Sequence, residues 1–247
     1  MSSFYPFPFG DFKCICVIDG TKDYRPGSFF KNVPEEEIED TLQERNLPTD
    51  KITTPYTNLL IDAGEHKVLI DMGAGLLSPD TGKLVPNLQS AGIDPLKVDT
   101  VIVTHAHPDH IGGTLNGDGL LNFPNAKYFI SKVEWDFWFS DTVDNPAPQH
   151  FIDIARKNLD AFETQVNFTE GRTEIIPGVS VIPAPGHTPG HLVVEVVSRD
   201  QKLLYIADAV LSPIHLEKPG WLPVYDLMPE KAAESKNTIF DLAAEEG

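Results

Sequence analysis

The chain has 247 residues, 41% of them hydrophobic and 23% charged, which is enough length to bury a substantial core and an ordinary globular composition. Its formal net charge of -18 argues against a general binder of nucleic acid or anionic membrane, because both need a positive face against phosphate.

In chain order, the opening MSSFYPFPFG carries no basic n-region, and prolines break its apolar run, so it does not read as a signal peptide. No stretch approaches the roughly eighteen apolar residues of a membrane span. A soluble, cytoplasmic protein is the expectation. The arm FYPFPFGDF either packs on a partner subunit, giving a homodimer, or folds onto its own domain. Residues 12–18 read as a strand. Cys14 and Cys16 share one face of it, at a spacing where a bridge would be strained, so a reduced pair is expected. A metal site on these two would have no further cysteine to complete it.

A helix is predicted over 34–46, with Pro34 at its start and acids in its first turn. Residues 57–62 and 67–71 read as a hairpin turned by Ala63, Gly64 and Glu65, with His66 exposed beside the turn. A short buried strand over 99–104 runs into the segment VTHAHPDHIGG. Strands are predicted over 126–131 and 179–183, with a helical stretch over 150–162 between them. A second hairpin follows over 192–197 and 202–207, and a last helix over 229–246. Strands interleaved with helices and antiparallel hairpins suggest an α/β protein with mixed sheets in one domain, residues 1–247.

Of eight histidines, three fall with an aspartate between residues 105 and 110. In extended backbone, His105 and His107 project the same way and can grip one ion. Pro108 re-aims the chain, and the adjacent Asp109 and His110 are better placed for a second ion. His187, in the rigid turn PAPGHTPGH, is the candidate third imidazole for the first ion. Asp208, at the end of the apolar strand LLYIAD, has two oxygens with which to bridge both. Imidazole with carboxylate suits zinc, manganese, iron or cobalt better than calcium or magnesium. His191 is expected to support its turn, and His150 and His215 have no companions.

THAHPDHIGG, GHTPGH and the strand-end Asp208 together resemble the metallo-β-lactamase-fold hydrolases, in that family's order and over nearly the whole chain. DAGEHKVLIDMGAG, including the loop after Asp71, is similar to its early strands. The resemblance implies an α/β fold, a four-layer αβ/βα sandwich of two mixed β-sheets, with a dinuclear site between the sheets. It implies His105, His107 and His187 on the first ion, Asp109 and His110 on the second, Asp208 bridging, and zinc as the first choice of metal. It also implies a histidine on a strand after the last helix. The sequence stops at Gly247, a strand typically takes about 5–6 residues, and that histidine is expected just beyond.

The expected chemistry is hydrolysis of an ester-like bond in a small molecule (lactone, ester or organophosphate) by a metal-activated hydroxide, with Asp109 orienting the nucleophile or passing a proton. The long segment before the motif resembles the branch holding acyl-homoserine-lactone lactonases and methyl-parathion-hydrolase-like enzymes. After Asp208, however, Ala209, Val210 and Leu211 bring no tyrosine of the kind one type of lactonase carries there. The alternatives are a glyoxalase-II-like thioesterase, a mononuclear-iron sulfur dioxygenase on His105, His187 and Asp208, and a non-catalytic metal module. Phe29, Phe30, Trp135, Trp138 and Trp221 are candidates for an apolar pocket wall or for core.

Overall fold

The computed structural model of the chain describes residues 3–140 and 145–245. In chain order it forms β1 (Phe4–Phe9), β2 (Phe12–Tyr24), α1 (Glu35–Glu44), β3 (Ile52–Asp62), β4 (Lys67–Ile70), α2 (Leu84–Ser90), β5 (Thr100–Ile102) and α3 (Pro108–Ile111). There follow β6 (Lys127–Ser131), α4 (Lys132–Phe139), α5 (Gln149–Asp160), β7 (Val166–Thr169), β8 (Thr173–Ile176), β9 (Val179–Pro183), β10 (Leu192–Ser198), β11 (Gln201–Tyr205), α6 (Ile214–Glu217) and α7 (Pro229–Glu245). The last residues of the predicted C-terminal helix and the strand expected after it lie outside the described residues.

Strands β1 to β7 form one sheet in sequence order, antiparallel from β1 to β4 and parallel from β4 to β7. Strands β11, β10, β9 and β8 form a second sheet, antiparallel throughout among the described residues. Period-two alternation sorts the apolar residues between layers. On β3, Leu59 and Ile61 turn inward against the second sheet's Val181, Val194 and Val196. Leu60 turns outward, into a cluster with Leu88 of α2, Trp138 of α4 and Leu159 of α5. Beyond the second sheet, Val193 of β10 meets Ile239 of α7. Helices therefore cover both sheets from outside, which gives the four layers. Among the described residues no helix is long and apolar enough to cross a membrane.

Several strands depart from their predicted bounds for local reasons. The N-terminal arm forms β1, paired with β2 in an unbroken register from Phe4↔Val17 to Phe9↔Phe12. Pro6 and Pro8 are tolerated because β1 is the sheet's edge, where a missing N–H costs no ladder bond. The arm is thus built into its own sheet. Strand β2 continues to Tyr24 through a register shift between Ile18 and Gly20, which breaks the alternation that marks the strand in the sequence. Strand β3 begins at Ile52, five residues earlier than predicted, and Pro55 lies in its part unpaired to β4. Cys14 and Cys16 are both free thiols. Of the five aromatics proposed for a pocket or core, Phe30 and Trp138 are fully buried in core clusters, Trp135 packs on Phe139, and Trp221 on Phe30. Phe29 alone of the five also faces the main cavity.

Candidate metal centre

The site lies where β5, the β9–β10 loop and the end of β11 meet, beyond the carboxyl ends of the parallel strands, where open α/β sheets commonly bind ligands. Strand β5 ends at Ile102, the chain bends at Thr104, and His107, itself extended, precedes Pro108, which opens α3. His105 and His107 reach one cluster from this segment, and the helical turn carries Asp109 and His110. The two sheets are stitched together here, since Leu192 N–H donates to Thr104 O at 2.9 Å.

Three imidazole nitrogens converge. His105 Nε2 lies 3.2 Å from His107 Nδ1, which lies 2.8 Å from His187 Nε2. Asp208 divides its carboxylate over the cluster. Oδ2 is 3.3 Å from His187 Nε2 and 3.9 Å from His105 Nε2, whereas Oδ1 is 3.3 Å from His110 Nε2. Among the described residues, two groups of donor atoms have all members within 4.8 Å of one another: His105, His107 and His187, and His105, His110 and Asp208. Five of the six predicted residues are therefore brought together at this range. The sixth, Asp109, is half-buried on the wall of the same cavity and belongs to neither close group.

The outer nitrogens of three rings are tied down. His187 Nδ1 meets Asp226 Oδ1 at 2.9 Å, His110 Nδ1 meets Asp71 Oδ2 at 2.8 Å, and His105 Nδ1 meets Thr104 Oγ1 at 3.1 Å. Asp71 is in turn fixed by Thr104, whose N–H and Oγ1–H donate to its two oxygens at 2.8 Å each. Polar partners behind, with unshared nitrogens turned inward together with a carboxylate, are the arrangement metal-ligating histidines adopt. The donor set fits divalent ions that take nitrogen and oxygen.

Charge at the centre tells the same story. Burial pushes His105 and His107 well below the usual imidazole range, helped by the neighbouring rings. Burial also opposes charge on His110 and His187, but carboxylates outweigh it there. Asp208 and Asp71 raise His110 well above its ordinary value, and hydrogen bonds to Asp208 and Asp226 raise His187 to about 9. Burial would raise Asp208, yet His110 and His187 hold it well below the usual carboxylate range. Burial raises Asp109. Without metal, the carboxylates favour protons on His110 and His187; a divalent cation bound here would displace them.

The centre forms one end of a cavity of about 670 Å³. Tyr24, Tyr56, Phe151, Tyr205, Leu211 and Tyr225 contribute to its wall. Tyr24 arrives through the unpredicted extension of β2 and Tyr56 through that of β3. His150 stands at this wall, whereas His215 is buried with Nε2 3.0 Å from Phe29 O and His66 pairs with Asp99 at 3.3 Å. His191 supports Asp208, accepting its N–H at Nε2 at 3.2 Å.

Sequence reasoning missed Asp71, Asp226 and Glu134. Asp71 directly follows the apolar strand β4, and Asp208 likewise follows an apolar strand, so one signal for it was present. Asp226 and Glu134 are single acids with no local pattern, and apart from Trp138, one turn on from Glu134, their partners lie 28 to 56 residues away.

The comparisons agree with this geometry. The profile of the Metallo-beta-lactamase superfamily matches residues 54–245. N-acyl homoserine lactonase AttM of Rhizobium radiobacter is 30% identical over 197 residues, 71% of this chain and 70% of that protein. N-acyl homoserine lactonase AiiA of Bacillus thuringiensis subsp. kurstaki is 27% identical over 221 residues, 81% of this chain and 80% of that protein. Among solved structures, AidC, a dizinc quorum-quenching lactonase in complex with its product, superposes with a TM-score of 0.92 at 28% identity, covering 99% of this chain and 87% of that one. Hydrolase AbOPH gives 0.91 at 27% identity with the same coverage. The chain belongs to the metallo-β-lactamase superfamily as a metal-dependent hydrolase of ester-type bonds.

Proposed function

We propose that His105, His107 and His187 hold one divalent ion, that His110 and Asp109 hold a second, and that Asp208 bridges them, with zinc the metal such donors suit first. We further propose that the substrate is a lactone with an apolar arm. One observation carries the dinuclear reading, the division of Asp208: Oδ2 faces His105 and His187 while Oδ1 faces His110. A single ion on His105, His187 and Asp208, as a mononuclear-iron dioxygenase would use, leaves His110 without a partner ion despite its anchoring by Asp71.

When bound, two divalent ions polarise the substrate carbonyl and bring the pKa of water from 15.7 towards roughly 7. The chain supplies the rest. Asp71, Asp226 and Thr104 hold the imidazoles in place, so the donor set is formed before substrate arrives. Asp109, whose carboxyl burial raises, is suited to take a proton from the attacking water and return it to the oxygen that leaves the opened ring. Phe151, Leu211 and the rings of Tyr24 and Tyr56 offer an apolar wall for the arm. The lactonase activity named for AttM and AiiA supports the choice of lactone.

The test is titration of ring opening for N-acyl homoserine lactones of increasing chain length, beside aryl esters, thioesters and organophosphate triesters. A kcat/KM for the lactones at least about tenfold above the others is expected. A thioester preference would replace the lactone by the thioesterase alternative.

A further inference from the structure

Glu134 is fully buried, carries a carboxylate and has no task in the chemistry above. It sits in the first turn of α4 and accepts four hydrogen bonds, all from neutral donors. Ala106 N–H reaches Oε1 at 2.9 Å and Trp138 Nε1–H reaches the same oxygen at 2.7 Å. Thr188 Oγ1–H reaches Oε2 at 2.6 Å and Gly190 N–H does so at 3.0 Å. Each donor adjoins an imidazole of the centre. Ala106 lies between His105 and His107, Thr188 follows His187, and Gly190 precedes His191. The Trp138 ring packs edge-on against His107, with centroids 5.8 Å apart.

A second, independent feature belongs to the same contact. A Cβ on Gly190 would stand 2.2 Å from Glu134 N and 2.6 Å from its Cα. The β9–β10 loop can therefore approach α4 this closely only with glycine there. One carboxylate thus joins the loop after β5, which belongs to the first sheet, to the loop before β10, which belongs to the second.

We propose that Glu134 is a positioning residue for the metal centre: it sets the spacing between the His105–His107 pair and His187, and through that spacing the affinity and geometry of the first ion. This rests on the dinuclear reading given above. A buried carboxylate with four donors would be costly to place if its only role were to fill space, since each donor and both oxygens must be satisfied. Its two oxygens, each taking two donors, hold loops from different sheets against one another.

The experiment uses metal affinity by competition with a chromophoric chelator and the visible absorption of the cobalt-substituted protein, neither of which depends on finding a substrate. Glu134→Gln keeps the shape but turns an NH₂ towards one pair of donors. It is expected to lower zinc affinity about 10–100-fold, the usual cost of losing a residue behind a metal ligand, and to change the cobalt spectrum. Thr188→Val and Trp138→Phe each remove one donor and are expected to lower affinity several-fold. They decide the question if Glu134→Gln does not fold. Variants that fold, melt at lower temperature and keep wild-type affinity and spectrum would show a purely structural role and overturn the proposal. A wild-type protein that takes up no divalent metal would instead refute the dinuclear reading itself.

Discussion

Replacing Asp226 by Asn removes a charge but keeps an acceptor for His187 Nδ1, so it isolates the electrostatic part of that contact. Asp226 is 7% exposed and its Oδ1 lies 2.9 Å from the ring. In the metal-free protein the His187 pKa rises from 6.5 to about 9, where burial, the first influence, is outweighed by Asp208 and Asp226. At 1.36 kcal/mol per pKa unit this rise favours the charged native form by about 3 kcal/mol. Because the folded value lies above the unfolded one, the contribution is complete below pH 6.5 and is lost as pH rises through 9. Two carboxylates share the effect, so Asp226→Asn should cost about 1.5 kcal/mol at pH 6, and much less at pH 9.5. Urea denaturation of chelator-treated wild type and variant at both pH values measures this difference. An equal loss at the two pH values would refute the imidazolium–carboxylate origin of the stabilisation.

Asp71→Asn should weaken the second ion about 10–100-fold while the first is nearly unchanged, because Asp71 anchors His110; sequential zinc release to a chelator resolves the two. Stripping the metal should abolish hydrolysis and lower the unfolding temperature. Zinc restored at about 1,000 times its Kd should recover roughly 4 kcal/mol of stability, read by calorimetry. Phe151→Ala removes a cavity ring that also packs on His107 at 5.6 Å. It should cost about tenfold in kcat/KM for long-chain lactones, which is ~1.4 kcal/mol of lost apolar contact, and less for short ones; a uniform loss would place the arm elsewhere.

The candidate ligands were legible in the sequence because each is marked locally. His105, His107, Asp109 and His110 share six residues, and His187 and Asp208 each follow a strand by a few residues. The arrangement behind them was not, because its signals are distant contacts: Asp226 meets His187 across 39 positions, and Glu134 reaches Ala106, Thr188 and Gly190 across 28, 54 and 56. The α/β class followed from strands interleaved with helices, whereas the four layers came with the resemblance, because the run Leu59, Leu60 and Ile61 is apolar throughout and only the structure divides it between the two faces of β3. The cavity wall was hidden where alternation fails. The shift at Ile18/Gly20 concealed the length of β2 that carries Tyr24, and Pro55 concealed the part of β3 that carries Tyr56. Large aromatics stood open between wall and core. Trp138 offers the bulk of a pocket wall, but its Nε1–H is satisfied by Glu134 and the residue is core.

The division of the Asp208 carboxylate between the two halves of the centre is tested most directly by elemental analysis of metal-loaded wild type and Asp208→Ala. Two equivalents of divalent metal in the wild type, falling to one or fewer in the variant, are predicted. A single equivalent of iron in the wild type, with oxygen consumed during turnover, would contradict the dinuclear hydrolase.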